Sequence, residues 1–358
     1  MTAGATLDRA PRALPTAVAA TLALALVGAG CGAAHAPRPL STAPATPRIA
    51  PMAASTHPVL PVARRHAAGV AAARAPFAVG LRIETFVDEH RHLRLPGGRL
   101  LGRRLVTLIR YPARGRPGSV DLAGAAPVPG RFPLVVFGHG FAVTPAIYAR
   151  LLQAWAGAGY VVVAPVFPLE NANAPGGPNE SDLINQPGDM SLVISRMLAA
   201  SANRNSALAG TIDRRAIAVT GQSDGGETAL ATAYYAQFRD RRVRAAVILS
   251  GANIPGVGAI GFPSASPPLL ATQGTADSIN PPSFTRAFFD IAPRPKFLLT
   301  LLEASHLGPY TDAQPQLGIV ERVTTAFLDR YLKHAAGSAA QLTAAGHVPR
   351  VATLRADP

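Results

Sequence analysis

Across residues 76–335 the apolar positions switch repeatedly between two periods. Short apolar runs bounded by Gly, Pro or Asn predict strands at 79–88 (VGLRIETFVD), 103–111 (RRLVTLIRY), 132–137 (FPLVVF), 160–164 (YVVVA), 216–220 (AIAVT), 245–249 (AAVIL), 269–272 and 297–302 (FLLTLL). Between them, apolar residues three and four apart predict helices. The first covers 147–158 through Ile147, Leu151, Leu152 and Trp155; others cover 190–200, 227–238, 281–290 and 317–333. The first two strands flank a turn over 90–98 that ends in Pro96-Gly97-Gly98, which makes them a hairpin. The later strands alternate with helices, as in a parallel sheet whose faces are both covered. The expected fold is therefore α/β: a mainly parallel sheet with an antiparallel N-terminal hairpin and helices on both faces. Ligands of such sheets lie beyond the carboxyl ends of the strands.

The flanks follow neither period. Arg9 and Arg12 precede a run of small apolar residues over 16–30 (TAVAATLALALVGAG). It is shorter than the ~20 residues that span a bilayer, and it reads as an export signal over 1–31. Two processing routes are open. Cys31, directly after Gly28-Ala29-Gly30, resembles a bacterial lipobox, with Gly where an aliphatic residue is usual; Cys31 would then carry lipid and attach the protein to a membrane. Alternatively, Ala34-His35-Ala36 is an A-x-A cleavage site for free secretion. Residues 32–75, rich in Ala, Pro, Arg and Thr, read as a disordered linker, and 336–358 as a flexible tail.

Composition narrows the classes. With 48% hydrophobic and 15% charged residues, the chain is no charge-rich disordered protein. A single Cys excludes a disulfide scaffold and a cysteine-ligated zinc site. The net charge of +14 suggests nucleic acid, but half of it lies in 1–75 and 336–358, and Asp240 interrupts the group Arg239, Arg241, Arg242 and Arg244. An Arg-rich solvated surface is expected instead, with no nucleic-acid partner. His90 and His92 lack a third ligand, so no metal site is expected.

The chemistry gathers around one motif. The strand 216–220 runs into Gly221-Gln222-Ser223-Asp224-Gly225-Gly226 and then a helix: G-x-S-x-G in the strand–turn–helix context that gives it meaning. Such a turn is sharp, so side chains at Gly221 or Gly225 would strike neighbouring backbone. The turn lifts the Ser223 hydroxyl clear of the sheet, and the helix behind it offers the Asp224 N–H to a developing oxyanion. A serine nucleophile needs a base and an acid to orient that base. Of the nine His, only His139 and His306 follow strands at the catalytic end, and only His306 fits the chain order Ser, acid, His. Asp277, after the strand 269–272, is the candidate acid; a carboxylate that merely shapes its own turn is the alternative. His139-Gly140-Phe141 follows the strand 132–137. Its Phe141 N–H is the second candidate oxyanion donor, Gly140 lets backbone approach substrate, and His139 reads as structural.

These residues resemble the α/β-hydrolase superfamily over about 76–335. The FPLVVFGHG run of 132–140 is similar to its bacterial platelet-activating-factor acetylhydrolase-like, chlorophyllase-like and cutinase-like esterase branch. The resemblance implies Ser223 as nucleophile, His306 as base, Asp277 as orienting acid, and an oxyanion hole from the Phe141 and Asp224 N–H groups, with no cofactor. Two departures bear on substrate. Polyester-degrading cutinase-like enzymes carry Met after the serine and a Trp after the next strand; here Asp224 and Ser250-Gly251-Ala252-Asn253-Ile254 stand there, which argues against polyesters. True dienelactone hydrolases use a cysteine nucleophile, and Cys31 lies in the export segment.

The expected protein is an exported, monomeric serine hydrolase of small-molecule or lipid carboxylic esters. A peptidase or acyltransferase on the same triad, or a catalytically idle surface-binding lipoprotein, are the alternatives. The loop 165–186 and the segment 251–267 are expected to shape substrate choice, with Ile254, Val257, Ile260 and Phe262 lining an acyl pocket or packing the segment onto the core.

Overall fold

The computed structural model describes residues 76–358 apart from positions 96, 254–256 and 259. The proposed signal, Cys31 and the 32–75 linker lie outside the described residues.

One ten-stranded sheet, ordered β10-β9-β8-β7-β6-β4-β5-β2-β1-β3, organises the described chain. β1 (Ala78–Arg94) and β2 (Leu100–Ala113) form the antiparallel start, with the short β3 (Leu122–Ala123) parallel to β1. The hairpin is longer than its apolar pattern indicates. Residues 89–92 are polar, yet after an irregularity between Asp88 and His92 the pairing resumes over His92, Leu93 and Arg94, and Leu93 is buried. His90 and His92 therefore lie on a strand, not in the expected turn. β2 pairs antiparallel with β5 (Val161–Pro165), and from there the sheet is parallel through β4 (Phe132–Gly138), β6 (Ile212–Gln222), β7 (Ala245–Leu249), β8 (Leu269–Gly274) and β9 (Lys296–Leu301).

Alternate residues of each strand serve opposite faces. On one face Val135, Val247 and Leu299 meet α1 (Ala149–Gly157) and α6 (Gln316–Leu332) through Leu151, Trp155, Val323 and Phe327. On the other, Val136, Val219 and Ile248 meet α2 (Gln186–Ala202), α3 (Asp224–Tyr234) and α4 (Pro282–Ile291) through Met190, Ile194, Leu230 and Phe288. Each such fully buried aliphatic or aromatic side chain contributes about 1.5–3 kcal/mol. The buried Trp155 Nε1 also finds a partner, donating to Thr324 Oγ1 at 2.8 Å and tying α1 to α6.

The C-terminal segment corrects the sequence reading. After the one-turn α5 (Gly308–Thr311) and α6, residues expected as a flexible tail form α7 (Ser338–Gly346) and β10 (Ala352–Asp357), which pairs antiparallel with β9. Ala-rich α7 offers little periodicity, but Leu342 and Leu354 are buried and close the sheet edge. In the segment 251–267 the packing onto the core is seen at three of the four named residues. Val257 is buried in the α2–α4 core, and Ile260 and Phe262 pack against it, Phe262 with its ring centroid 4.8 Å from that of Tyr234. Ile254 lies outside the described residues.

Candidate active site

β6 ends in the elbow that the motif requires. Ser223 sits between strand and helix at φ 56°, ψ −122°, a left-handed conformation rare for a residue with a Cβ. The two glycines are needed because the turn is closed on both sides: a Cβ on Gly221 would run into the Gly225 carbonyl, and one on Gly225 into the Gly138 carbonyl. α3 begins at Asp224, three residues earlier than the apolar spacing suggests, so its first N–H groups stand directly behind the serine hydroxyl.

Loops after β8 and β9 bring the other two residues to it. His306 Nε2 lies 2.9 Å from Ser223 Oγ, and His306 Nδ1 lies 2.8 Å from Asp277 Oδ2. Nδ1–H donates to the carboxylate, which leaves Nε2 free to accept from the serine. Asp277 is buried at 4% exposure, which alone would raise its pKa. The His306 hydrogen bond and charge, and the Asn280 N–H, outweigh burial and hold it below the usual carboxylate range. The Asn280 and Ile279 N–H groups reach Asp277 Oδ1 at 2.8 and 3.0 Å, and Gln273 Nε2 reaches Oδ2 at 3.2 Å. Asn280 in turn donates to the carbonyl of Ser250, itself at φ 45°.

The loop after β4 supplies the facing wall. A Cβ on Gly140 would crowd Gln222 Oε1 at 2.8 Å and Ser223 Cβ at 3.1 Å, so the backbone approaches the serine closely. Neither the Phe141 nor the Asp224 backbone N–H meets an acceptor among the described residues. His139 is fully buried and structural, as expected. Its Nε2 accepts from the Phe167 N–H at 2.9 Å, and its Nδ1 donates to the Gly140 carbonyl at 2.8 Å. Burial lowers its pKa to about 4, so it stays neutral and pins the loops after β4 and β5 together.

Three neighbours carry no motif signal of their own. Gln222, inside the motif, accepts from Tyr148 Oη at 2.7 Å and donates to the His306 carbonyl at 3.1 Å, bridging the elbow to the histidine loop. Glu170 carries its carboxyl, completely buried, against Asp224. Its loop is anchored at the far end by Arg103, which is buried and bonds Asp182 at 2.6 and 2.8 Å and Asp189 at 2.6 and 2.7 Å. Burial raises Asp189 in spite of that partner, so the cluster fixes geometry at the expense of desolvation. In the sequence, Glu170 appears only as one of few charges in an expected loop.

Two grooves differ in their relation to this site. One, of about 640 Å³, runs between the β1–β2 hairpin and the loops after β4 and β5, lined by Leu93, Leu101, Val106, Pro145, Val166 and Pro168. It is on the side of the sheet where the serine emerges. A larger one, of about 970 Å³, lies at Phe132 and Gly159, the amino ends of β4 and β5, away from the serine. Among the described residues no group of three His, Cys, Asp or Glu side chains could hold a metal.

The sheet order and the elbow are those of the α/β-hydrolase fold, and a solved structure agrees. A ferulic acid esterase from Streptomyces cinnamoneus superposes with a TM-score of 0.56 at 22% identity, over 74% of this chain and 93% of that one. In sequence, the chlorophyllase family model matches residues 116–260, a stretch that contains Phe141, Ser223 and Asp224 but ends before Asp277 and His306. No curated protein matches the chain. The chain thus has the α/β-hydrolase fold and is similar to the chlorophyllase family over 116–260, which supports an ester hydrolase. Since 1105 solved chains share the fold, the fold does not choose the substrate.

Proposed function

We propose that the protein is an exported serine hydrolase of carboxylic esters. The observation that carries this reading is the imidazole of His306 held between Asp277 and Ser223 at 2.8 and 2.9 Å. Ser223 Oγ attacks the ester carbonyl while His306 Nε2 takes its proton. The carbonyl oxygen, now negative, lies against the Phe141 and Asp224 N–H groups. His306 then returns the proton to the leaving alcohol, giving an acyl-enzyme. Water, deprotonated by the same nitrogen, attacks that acyl group and frees the acid and Ser223. Asp277 keeps the imidazole in the required tautomer and stabilises its charged form. The names of the matching family and of the solved esterase both speak of ester chemistry, which supports the class.

The apolar part of the ester is placed in the 640 Å³ groove, whose Pro145 and Val166 belong to the two loops that flank Ser223. This keeps the expected role of the loop after β5 and moves the pocket away from Val257, Ile260 and Phe262. Val106, 44% exposed in that groove, is the position to test: Val106→Asp should raise KM for longer-chain p-nitrophenyl esters and leave the acetate nearly unchanged.

Export is proposed from the apolar run of 16–30, and membrane attachment from Cys31; no helix among the described residues is long and apolar enough to cross a membrane. Mass spectrometry of the mature N-terminus separates a lipidated Cys31 from a start at Pro37, and an intact Met1 would refute export. For the activity, Ser223→Ala should abolish turnover of p-nitrophenyl butyrate in a folded protein. Near-wild-type turnover by that variant would refute the assignment.

A further inference from the structure

The buried carboxyl of Glu170 has no part in the proton transfers above, yet it lies against the residue that follows the serine. Glu170 Oε1 and Asp224 Oδ2 are both buried, and no other described group donates to either. The two side chains are within hydrogen-bonding reach of each other. Two carboxyls in such contact need a proton between them.

A chain of donors shows which carboxyl holds it. Thr228 Oγ1 donates to Gln186 Oε1 at 2.7 Å, so the Gln186 amide points its Nε2 towards Glu170 Oε2, to which it donates. Glu170 Oε2 is thereby an acceptor, and Oε1 is left to carry the proton and donate to the Asp224 carboxylate. The surrounding charges favour that arrangement. Of the carboxylates in the turn that follows, Glu180 adds negative potential at both groups, whereas Asp182, itself paired to Arg103, adds it at Glu170 and His306 favours the Asp224 anion. Burial and these neighbours push Glu170 up to about 10, and burial pushes Asp224 up to about 6. Near neutral pH the pair therefore keeps one proton.

The backbone of the same residue reaches the other wall of the site. The Glu170 carbonyl accepts from the Ala142 N–H at 2.9 Å, and Ala142 follows Phe141. One residue thus touches both strands of chain that carry the unpartnered N–H groups. We propose that Glu170 is a positioning residue for the oxyanion donors: its protonated carboxyl, hydrogen-bonded to Asp224, sets the start of α3, and its carbonyl, accepting from Ala142, sets the loop of Phe141. The proposal rests on the reading of Ser223 as the nucleophile. Loss of the shared proton would place two anions in contact and drive the loop after β5 away from the elbow.

The test uses steady-state kinetics on p-nitrophenyl butyrate across pH, corrected with a Ser223→Ala blank, on Glu170→Ala and Glu170→Gln. The alanine variant leaves Asp224 a buried anion without a donor and should lose about 100-fold in kcat, as expected for misplaced oxyanion donors, with KM within about twofold. A glutamine can accept from Gln186 through its oxygen and donate to Asp224 through its nitrogen. Glu170→Gln should therefore recover kcat to within about threefold of wild type. Wild-type kcat should fall as pH rises through about 10, and the Glu170→Gln profile should lack that limb. A glutamine variant as slow as the alanine one, an alanine variant at wild-type rate, or an alkaline limb that persists in Glu170→Gln would each overturn the proposal. If Glu170→Ala does not fold, the rate and pH profile of Glu170→Gln decide alone. Fluorophosphonate labelling of wild-type Ser223 separates failure of the positioning role from failure of the nucleophile assignment.

Discussion

Two buried aspartates stand close to the reactive centre, and their surroundings drive them in opposite directions. Asp277 accepts the backbone N–H groups of Ile279 and Asn280 and the ring of His306, and these hold it below the usual carboxylate range despite burial. Asp224, one residue from Ser223, has another carboxyl as its side-chain neighbour, and burial lifts it to about 6. The first is built to be an anion facing an imidazole. The second is built to share a proton. The lesson is that donor supply decides the state of a carboxylate together with depth: both are nearly closed to solvent, at 5% and 4% exposure, but the Asp224 carboxyl is the more deeply packed and lacks the donors that Asp277 has.

The strongest way to break the Asp277 side of this contrast is to remove its charge while keeping its shape. Asp277→Asn should present the wrong hydrogen-bonding face to His306 Nδ1 and lower kcat for p-nitrophenyl butyrate by about 10⁴-fold. A loss below about tenfold would make Asp277 only a turn-forming carboxylate. The loop that carries Glu170 is broken most severely at its anchor. Arg103→Ala leaves Asp182 buried without a guanidinium and Asp189 with only that of Arg91, and should cost about 3 kcal/mol in denaturant unfolding. Gln222→Ala cuts the bridge from the elbow to the His306 loop without touching the charges. It should lower kcat about tenfold at unchanged KM, since a misplaced imidazole slows chemistry rather than binding.

The smallest and most discriminating effect is in stability against pH. Asp277 has a depressed pKa, so its contribution is complete above the unfolded-chain value of 3.8 and is lost as pH falls below it. Glu170 has a raised pKa. From 4.5 to about 10 the unfolded chain has released a proton that the native state keeps, so this group makes stability fall as pH rises through that window. Unfolding midpoints across pH should show that Asp277→Asn flattens the acid limb and Glu170→Gln flattens the slope above it. If both variants altered the same limb, the contrast would be lost.

The two sides were also unequally legible in the sequence. The elbow is a local object: glycine spacing, a strand before it and a helix after it are contiguous, and the chain order of Asp277 and His306 at strand ends follows from the alternating pattern. The polar support is non-local. Glu170 meets Asp224 across 54 positions of chain, and Arg103 meets Asp189 across 86. No periodicity relates such pairs, and a buried charge looks the same in sequence as a solvated one. The hairpin is longer than its pattern indicates for a local reason: polar residues 89–92 interrupt the apolar period before the pairing resumes at 92–94. α7 and β10 were read as tail, because Ala-rich sequence carries its burial in a few residues such as Leu342 and Leu354.

The central claim is that Ser223, activated by His306, is the nucleophile. The most direct measurement is mass spectrometry of the purified protein after reaction with a fluorophosphonate. The account predicts a single covalent adduct on the peptide containing Ser223, lost in Ser223→Ala and strongly slowed in His306→Ala. An adduct on another residue, or no adduct in folded wild-type protein that still hydrolyses p-nitrophenyl butyrate, would contradict it.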